Sequence, residues 1–178
     1  MFPRMGKRAR FAPWIGIIGM LGVSLLLLTR SQAAAPVDCS SFQSNVLVVD
    51  TDAHRLSLCA SGASIETFSV RLGRNGVGKA REGDGKTPYG RYPLADPRAS
   101  TAYGTFIPIG YPTDAQRREG YTGSAVGVHG PHRRMLWAGQ LVNVFDTTDG
   151  CIGIATDAEM TRLAAWVRRT RVVEIVLR

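Results

Sequence analysis

Past residue 44 the apolar runs of this chain are short and repeatedly broken by turn residues, which leaves room for many strands and little helix. Asn45 to Asp50 reads as a buried strand. Arg55 to Ala60 alternates polar and apolar and suits a strand with one wet face. Thr51 to His54 joins the two as a hairpin, with His54 exposed and inert. Ser61 and Gly62 mark the next turn, and Ile65 to Leu72 completes an antiparallel meander. Gly73 to Gly85 holds five glycines among charged residues and reads as a mobile loop. Pro88, Gly90 and Pro93 punctuate the stretch from Lys86 to Leu94. Thr105 to Ile109, Ala125 to His129 and residues 141–145 are strand-like, and Thr113 to Glu119 predicts a turn or two of helix closed by Gly120.

One segment carries a full helical pattern. Thr156 and Glu159 have capping-box spacing. Met160, Leu163, Ala164 and Val167 fall on one face, and Arg168 and Arg169 suit the negative end of the helix dipole. Val172 to Leu177 predicts a last strand. Strands outnumber helices and no series of βαβ units is visible. The expected fold is a mainly β single domain over 45–178 with one substantial helix, preceded by a lead-in at 36–44.

Residues 1–35 have a different character. Arg4, Lys7, Arg8 and Arg10 precede a mostly apolar run from Trp14 to Leu28, and small residues follow at Ala33 to Ala35. That order is the layout of a secretory signal peptide, with a retained membrane anchor as the alternative. The segment is expected to engage the secretion machinery or the membrane. The chain is therefore expected to be exported to the periplasm or cell envelope. Five of the 22 Lys and Arg residues lie in this leader and none of the 14 Asp and Glu, so the net charge of +8 falls to +3 beyond it. So mild a surplus does not call for nucleic acid as a partner.

Export sets the redox context. Paired cysteines tend to form disulfides there, and an odd thiol stands out. Cys39 and Cys59 are the expected pair, with two buried free thiols as the alternative. Cys151 is left over. It follows Gly150, which permits a tight turn and close approach to the sulfur, and backbone N–H groups at such a turn suit an oxyanion. A thiol needs a base to become a useful nucleophile, and His129, followed by Gly130, is the best candidate. On chemistry alone the pair competes with a structural cysteine and an ordinary histidine. His129, His132 and Cys151 also form a thin zinc pattern, but no second cysteine is near, so no metal is expected. Arg71, Arg74, Lys79 and Arg81 flank or lie in the glycine-rich loop. They read as its solvated face, with contact to a substrate carboxylate as the alternative. Tyr103 and Tyr121 are either cleft-lining aromatics or core edges.

Four pieces taken together resemble the YkuD-type L,D-transpeptidase catalytic domain. They are Thr87-Pro88-Tyr89-Gly90, His129-Gly130, Thr148 and Gly150-Cys151, in the family's order and spacing over nearly the whole chain past the leader. The resemblance implies a β-sandwich-like fold, Cys151 as nucleophile, His129 as general base and acid, and Gly150 as backbone of the turn and oxyanion hole. It implies peptidoglycan stem peptides as substrate, a thioester intermediate, release of D-alanine, and no cofactor. Thr148 and Gly130, which match family positions, are substrate-binding candidates, and Tyr103, Tyr121 and Arg74 join them on the reading of the residues given above. Two departures stand out. The histidine usual before Gly-Cys is Asp149, which either orients His129 or lies outward. The arginine common two residues after the cysteine is Gly153. A hydrolase on the same substrates, or a wall-binding protein without activity, are the competing readings.

Overall fold

A computed structural model describes residues 37–178, so the leader read over 1–35 lies outside the described residues. In chain order the strands are β1 (Val46–Asp50), β2 (Arg55–Ala60), β3 (Ala63–Arg71), β4 (Gly90–Pro93), β5 (Arg98–Ser100), β6 (Gly104–Pro108), β7 (Gly127–His129), β8 (Ile152–Ile154) and β9 (Glu174–Leu177). Helix α1 is Asp114–Arg118 and helix α2 is Asp157–Thr170. The strands form one sheet in the order β4-β9-β1-β2-β3-β8-β7-β6-β5.

The meander predicted at the start is present: β1 pairs with β2 and β2 with β3, both antiparallel. Helix α2 begins at the predicted capping box, where Thr156 and Glu159 satisfy each other's backbone N–H groups. It then carries the chain to β9, which lies parallel to β1. Strand β3 joins the two halves of the sheet, and both bury side chains in one core. Leu47, Leu56 and Phe68 come from one half, Ile107, Val128 and Ile152 from the other, and Met160, Leu163 and Val167 from α2. Each side chain so buried contributes about 1.5–3 kcal/mol before entropy is counted. The mainly β expectation with one substantial helix therefore describes the fold.

Three expectations need correction. Strand β2 is buried on both faces, because Val37, Cys39 and Phe42 fold over it, and Cys39 is bonded to Cys59. Residues 141–145 are not a strand. A 3₁₀ segment, Arg133–Asn143, breaks at Gly139 and leaves Leu141 and Phe145 exposed. The neighbouring edge of β3 is taken by β8, and the Asn143 side chain bonds the Ser69 carbonyl instead.

The third correction concerns the glycine-rich loop, which is braced rather than loose. The Asp84 carboxylate accepts from the Lys79 ammonium (2.8 Å) and from the N–H groups of Ala80, Arg81 and Lys86. Burial pushes this carboxyl up, but the four donors outweigh it and hold it well below the usual carboxylate range. Gly90 to Pro93, within the punctuated stretch, forms an edge strand that the sequence reading did not assign. Proline is tolerated there because its missing N–H has no partner to lose.

Candidate active site

Cys151 lies immediately before β8, and His129 is the last residue of β7. These short strands are parallel neighbours, with Val128 opposite Ile152 and His129 opposite Gly153. Alternation along a strand puts Cys151 and Gly153 on one face, and His129 shares it. The thiol and imidazole therefore come from adjacent strands and line one cleft of about 410 Å³.

Glycines make this approach feasible. Gly150 has φ +126°, and a Cβ there would lie 2.5 Å from the Lys86 carbonyl oxygen. Gly127 passes so close to β6 that a Cβ would lie 2.4 Å from the Ile107 carbonyl oxygen. A Cβ at Gly130 would lie 2.9 Å from the Tyr103 carbonyl oxygen.

Thr148 closes the turn that presents the thiol. Its hydroxyl donates to the Cys151 carbonyl (2.7 Å) and accepts from the Gly150 N–H (3.1 Å). This corrects one expectation. The Gly150 N–H is already committed, so it is not an oxyanion donor in this arrangement. The Thr148 hydroxyl makes both turn bonds, and the residue lines the cleft.

His129 is buried, and its Nδ1 lies 2.6 Å from the Gly130 carbonyl oxygen. A carbonyl only accepts, which puts the ring proton on Nδ1 and leaves a lone pair on Nε2. Burial pushes the imidazole down to about 4, and the charge of Arg71 pushes the same way. Burial also pushes the Cys151 thiol up. The Gly127 N–H and Lys79 oppose that shift, while Asp149 adds to it. At neutral pH both the thiol and the imidazole are neutral, and the sulfur lies 3.6 Å from the Ala125 carbonyl oxygen.

The remaining candidates separate. Tyr103 lines the cleft and stacks on His129. Tyr121 packs against the core instead and is not among the cleft residues. Asp149 points outward and forms an ion pair with Arg74, both largely exposed, so it does not orient His129. Arg74, Lys79 and Arg98 line a second depression, about 610 Å³, that meets the first at Tyr103, Asp149 and Cys151. The thiol can thus be approached from two sides. Among the described residues no three His, Cys, Asp or Glu side chains are grouped to hold a metal.

Two residues read as surface groups from the sequence lie otherwise. Arg71 is no part of a solvated loop face: it is 6% exposed and lies in the cleft wall, with its guanidinium against Gly153. Nor is His54 inert. Its Nε2 is 2.8 Å from Asp146 Oδ2, and the other oxygen of Asp146 accepts from the Leu72 N–H at 2.6 Å. Asp146 thereby ties the approach to Cys151 onto β3. The backbone of Thr148 continues that tie through bonds to Leu72 and Arg74.

Residues 44–175 match the family model of the YkuD L,D-transpeptidase catalytic domain. Among solved structures, the chain is similar to the helical cell shape determining protein Pgp2 from Campylobacter jejuni, with a TM-score of 0.62 and 19% identity over 82% of this chain and 51% of that one. It is also similar to Bd1075 from Bdellovibrio bacteriovorus, with a TM-score of 0.55 and 22% identity over 81% of this chain and 52% of that one. Such identities speak for the fold alone, and the chain spans about half the length of these structures. No curated protein matches it.

Proposed function

Because the chain belongs to the L,D-transpeptidase catalytic domain family, we propose that it is an acyltransferase acting on peptidoglycan stem peptides, with Cys151 as nucleophile. The observation that carries this reading is the placement of Cys151 and His129 on one face of adjacent parallel strands, in a cleft open to a peptide.

The Cys151 sulfur attacks the carbonyl carbon at the L-centre of the diamino acid in a tetrapeptide stem. Its proton passes to His129 Nε2 as the carbon–sulfur bond forms. The Cys151 N–H is the candidate donor to the oxyanion, since that of Gly150 is engaged. Collapse breaks the carbon–nitrogen bond, and His129 returns the proton to the departing D-alanine amine. An amine from a second stem then attacks the thioester, gives a proton to His129 and forms the crosslink, which restores the thiol. With water as acceptor the same steps give a carboxypeptidase. No step calls for a cofactor.

The substrate lies outside the cytoplasm, and we place the protein in the periplasm or cell envelope. The leader-like residues 1–35 and the Cys39–Cys59 disulfide support that placement. An enzyme that joins or trims wall stems there would bear on wall growth and cell shape.

The test is incubation of the protein with tetrapeptide muropeptides, with products read by mass spectrometry beside a Cys151→Ala control. Dimers and free D-alanine that depend on Cys151 are expected. Tripeptides alone would reassign it as a hydrolase. Unchanged tetrapeptide from a protein that binds the muropeptide would leave a wall binder.

A further inference from the structure

Arg71, Gly153 and His129 lie in one row across three strands. Arg71 of β3 is opposite Gly153 of β8, and Gly153 is opposite His129 of β7. Paired residues share a face, so Arg71 and His129 flank a gap left by glycine. The Arg71 guanidinium leans into that gap, 2.7 Å from where a Cβ of Gly153 would be. It therefore stands about one strand spacing, roughly 4.8 Å, from the strand that carries the base.

This cation is under-compensated. Arg71 is 6% exposed, yet its hydrogen-bond partner is the neutral side chain of Asn143, at 3.0 Å. Among the described residues no carboxylate pairs with it. A buried guanidinium is costly unless an anion meets it, and this one lines the cleft that holds the thiol. Planar, bidentate recognition of a carboxylate is what a guanidinium does best.

We propose that Arg71 binds the C-terminal carboxylate of the amino acid released by cleavage, so that the cleft selects donor peptides in which the scissile bond is the last. The inference rests on the stem-peptide reading above. His129 must reach the departing amine, and in an α-amino acid the carboxylate carbon is two bonds from that nitrogen. A carboxylate beside His129 on the Gly153 side falls toward Arg71. A longer peptide presents a neutral amide there and leaves the cation unmatched.

The test measures binding to the Cys151→Ala protein of a wall tetrapeptide and of the same peptide with a C-terminal carboxamide. The acid should bind tighter by about tenfold or more, the value of one charge-assisted contact. Arg71→Gln should abolish that preference and Arg71→Lys should restore part of it, with circular dichroism confirming the fold of each. Equal binding of acid and carboxamide by the protein with Arg71 intact would overturn this inference and leave the stem-peptide reading standing. Failure of both peptides to bind would overturn both. Because the ligand pair is compared first with Arg71 in place, a variant that misfolds does not remove the test.

Discussion

The ring of Tyr103 lies against the ring of His129, with centroids 3.9 Å apart and planes 30° apart. Tyr103 thus shields the imidazole from water on one side, and burial is the chief reason that imidazole is pushed down to about 4. Tyr103→Ala should open that face. The acid limb of the pH–rate profile should move up from near 4 towards 6.5, and the maximal rate should fall by about tenfold or more as the base loses its fixed orientation. A pH–rate profile of D-alanine release checks both. An unmoved acid limb would mean that the stacking does not control the base.

Asp149 affects the thiol through charge alone. Its carboxylate pairs with Arg74 at the surface, while its field adds to the burial that pushes the Cys151 thiol up. Asp149→Asn should therefore lower the pH at which Cys151 is alkylated by iodoacetamide, and should speed alkylation at a fixed pH below that midpoint. The ion pair is exposed, and its loss should change stability by no more than about 1 kcal/mol. Alkylation rates against pH, with a thermal melt alongside, decide the matter. A rise in the midpoint would refute the electrostatic account.

How much of this was legible in the sequence depends on whether a residue acts through its neighbours in the chain or across it. The meander, the capping box at Thr156 and the helical face at Met160 and Leu163 rest on local pattern, and the structure has them. The loop around Asp84 looked loose because glycines and charges suit a solvated turn. Its order comes from one carboxylate gathering four donors, which spacing does not reveal. Residues 141–145 have strand-like composition but find no free sheet edge, since β8 already occupies the side of β3 they would need. Cys151 and His129 are drawn out as candidates by their glycine neighbours and singled out by the motif order that resembles the family. Arg71 could not be placed in the cleft, because its position depends on a register across β3, β8 and β7.

Thr148 stabilises the turn on which Cys151 sits, and its two hydroxyl bonds are made with backbone groups on either side of that turn. Thr148→Val keeps the volume but leaves the Gly150 N–H and the Cys151 carbonyl without those bonds, at about 1–3 kcal/mol for a buried group. The Gly150 N–H is then unpaired and the turn loosens. Turnover should drop by more than about tenfold while the protein still folds. Thr148→Ser should retain most activity because it keeps both bonds. Steady-state kinetics of the two variants tests this, and an active Thr148→Val protein would refute it.

Two histidines give stability opposite dependences on pH. His129 is buried and its folded-state pKa lies below the ordinary value, at about 4 against 6.5. Between those values the unfolded chain binds a proton there that the folded protein refuses. Its contribution is complete above 6.5 and is lost as the pH falls towards 4. His54 behaves in the reverse sense. The hydrogen bond to Asp146 raises its pKa above 6.5, with burial opposing, so its contribution is complete below 6.5 and fades as the pH rises through the raised value. Because His54 is half-exposed, solvent screens the ion-pair part of this effect. His54→Gln should accordingly lower the midpoint of urea unfolding at pH 5.5 and have a smaller effect at pH 9. It should also reduce turnover at pH 5.5, since Asp146 holds the segment leading to Thr148 and Cys151. Urea unfolding at the two pH values is the check, and a larger loss at pH 9 would show that the pair is not held by the charged imidazole.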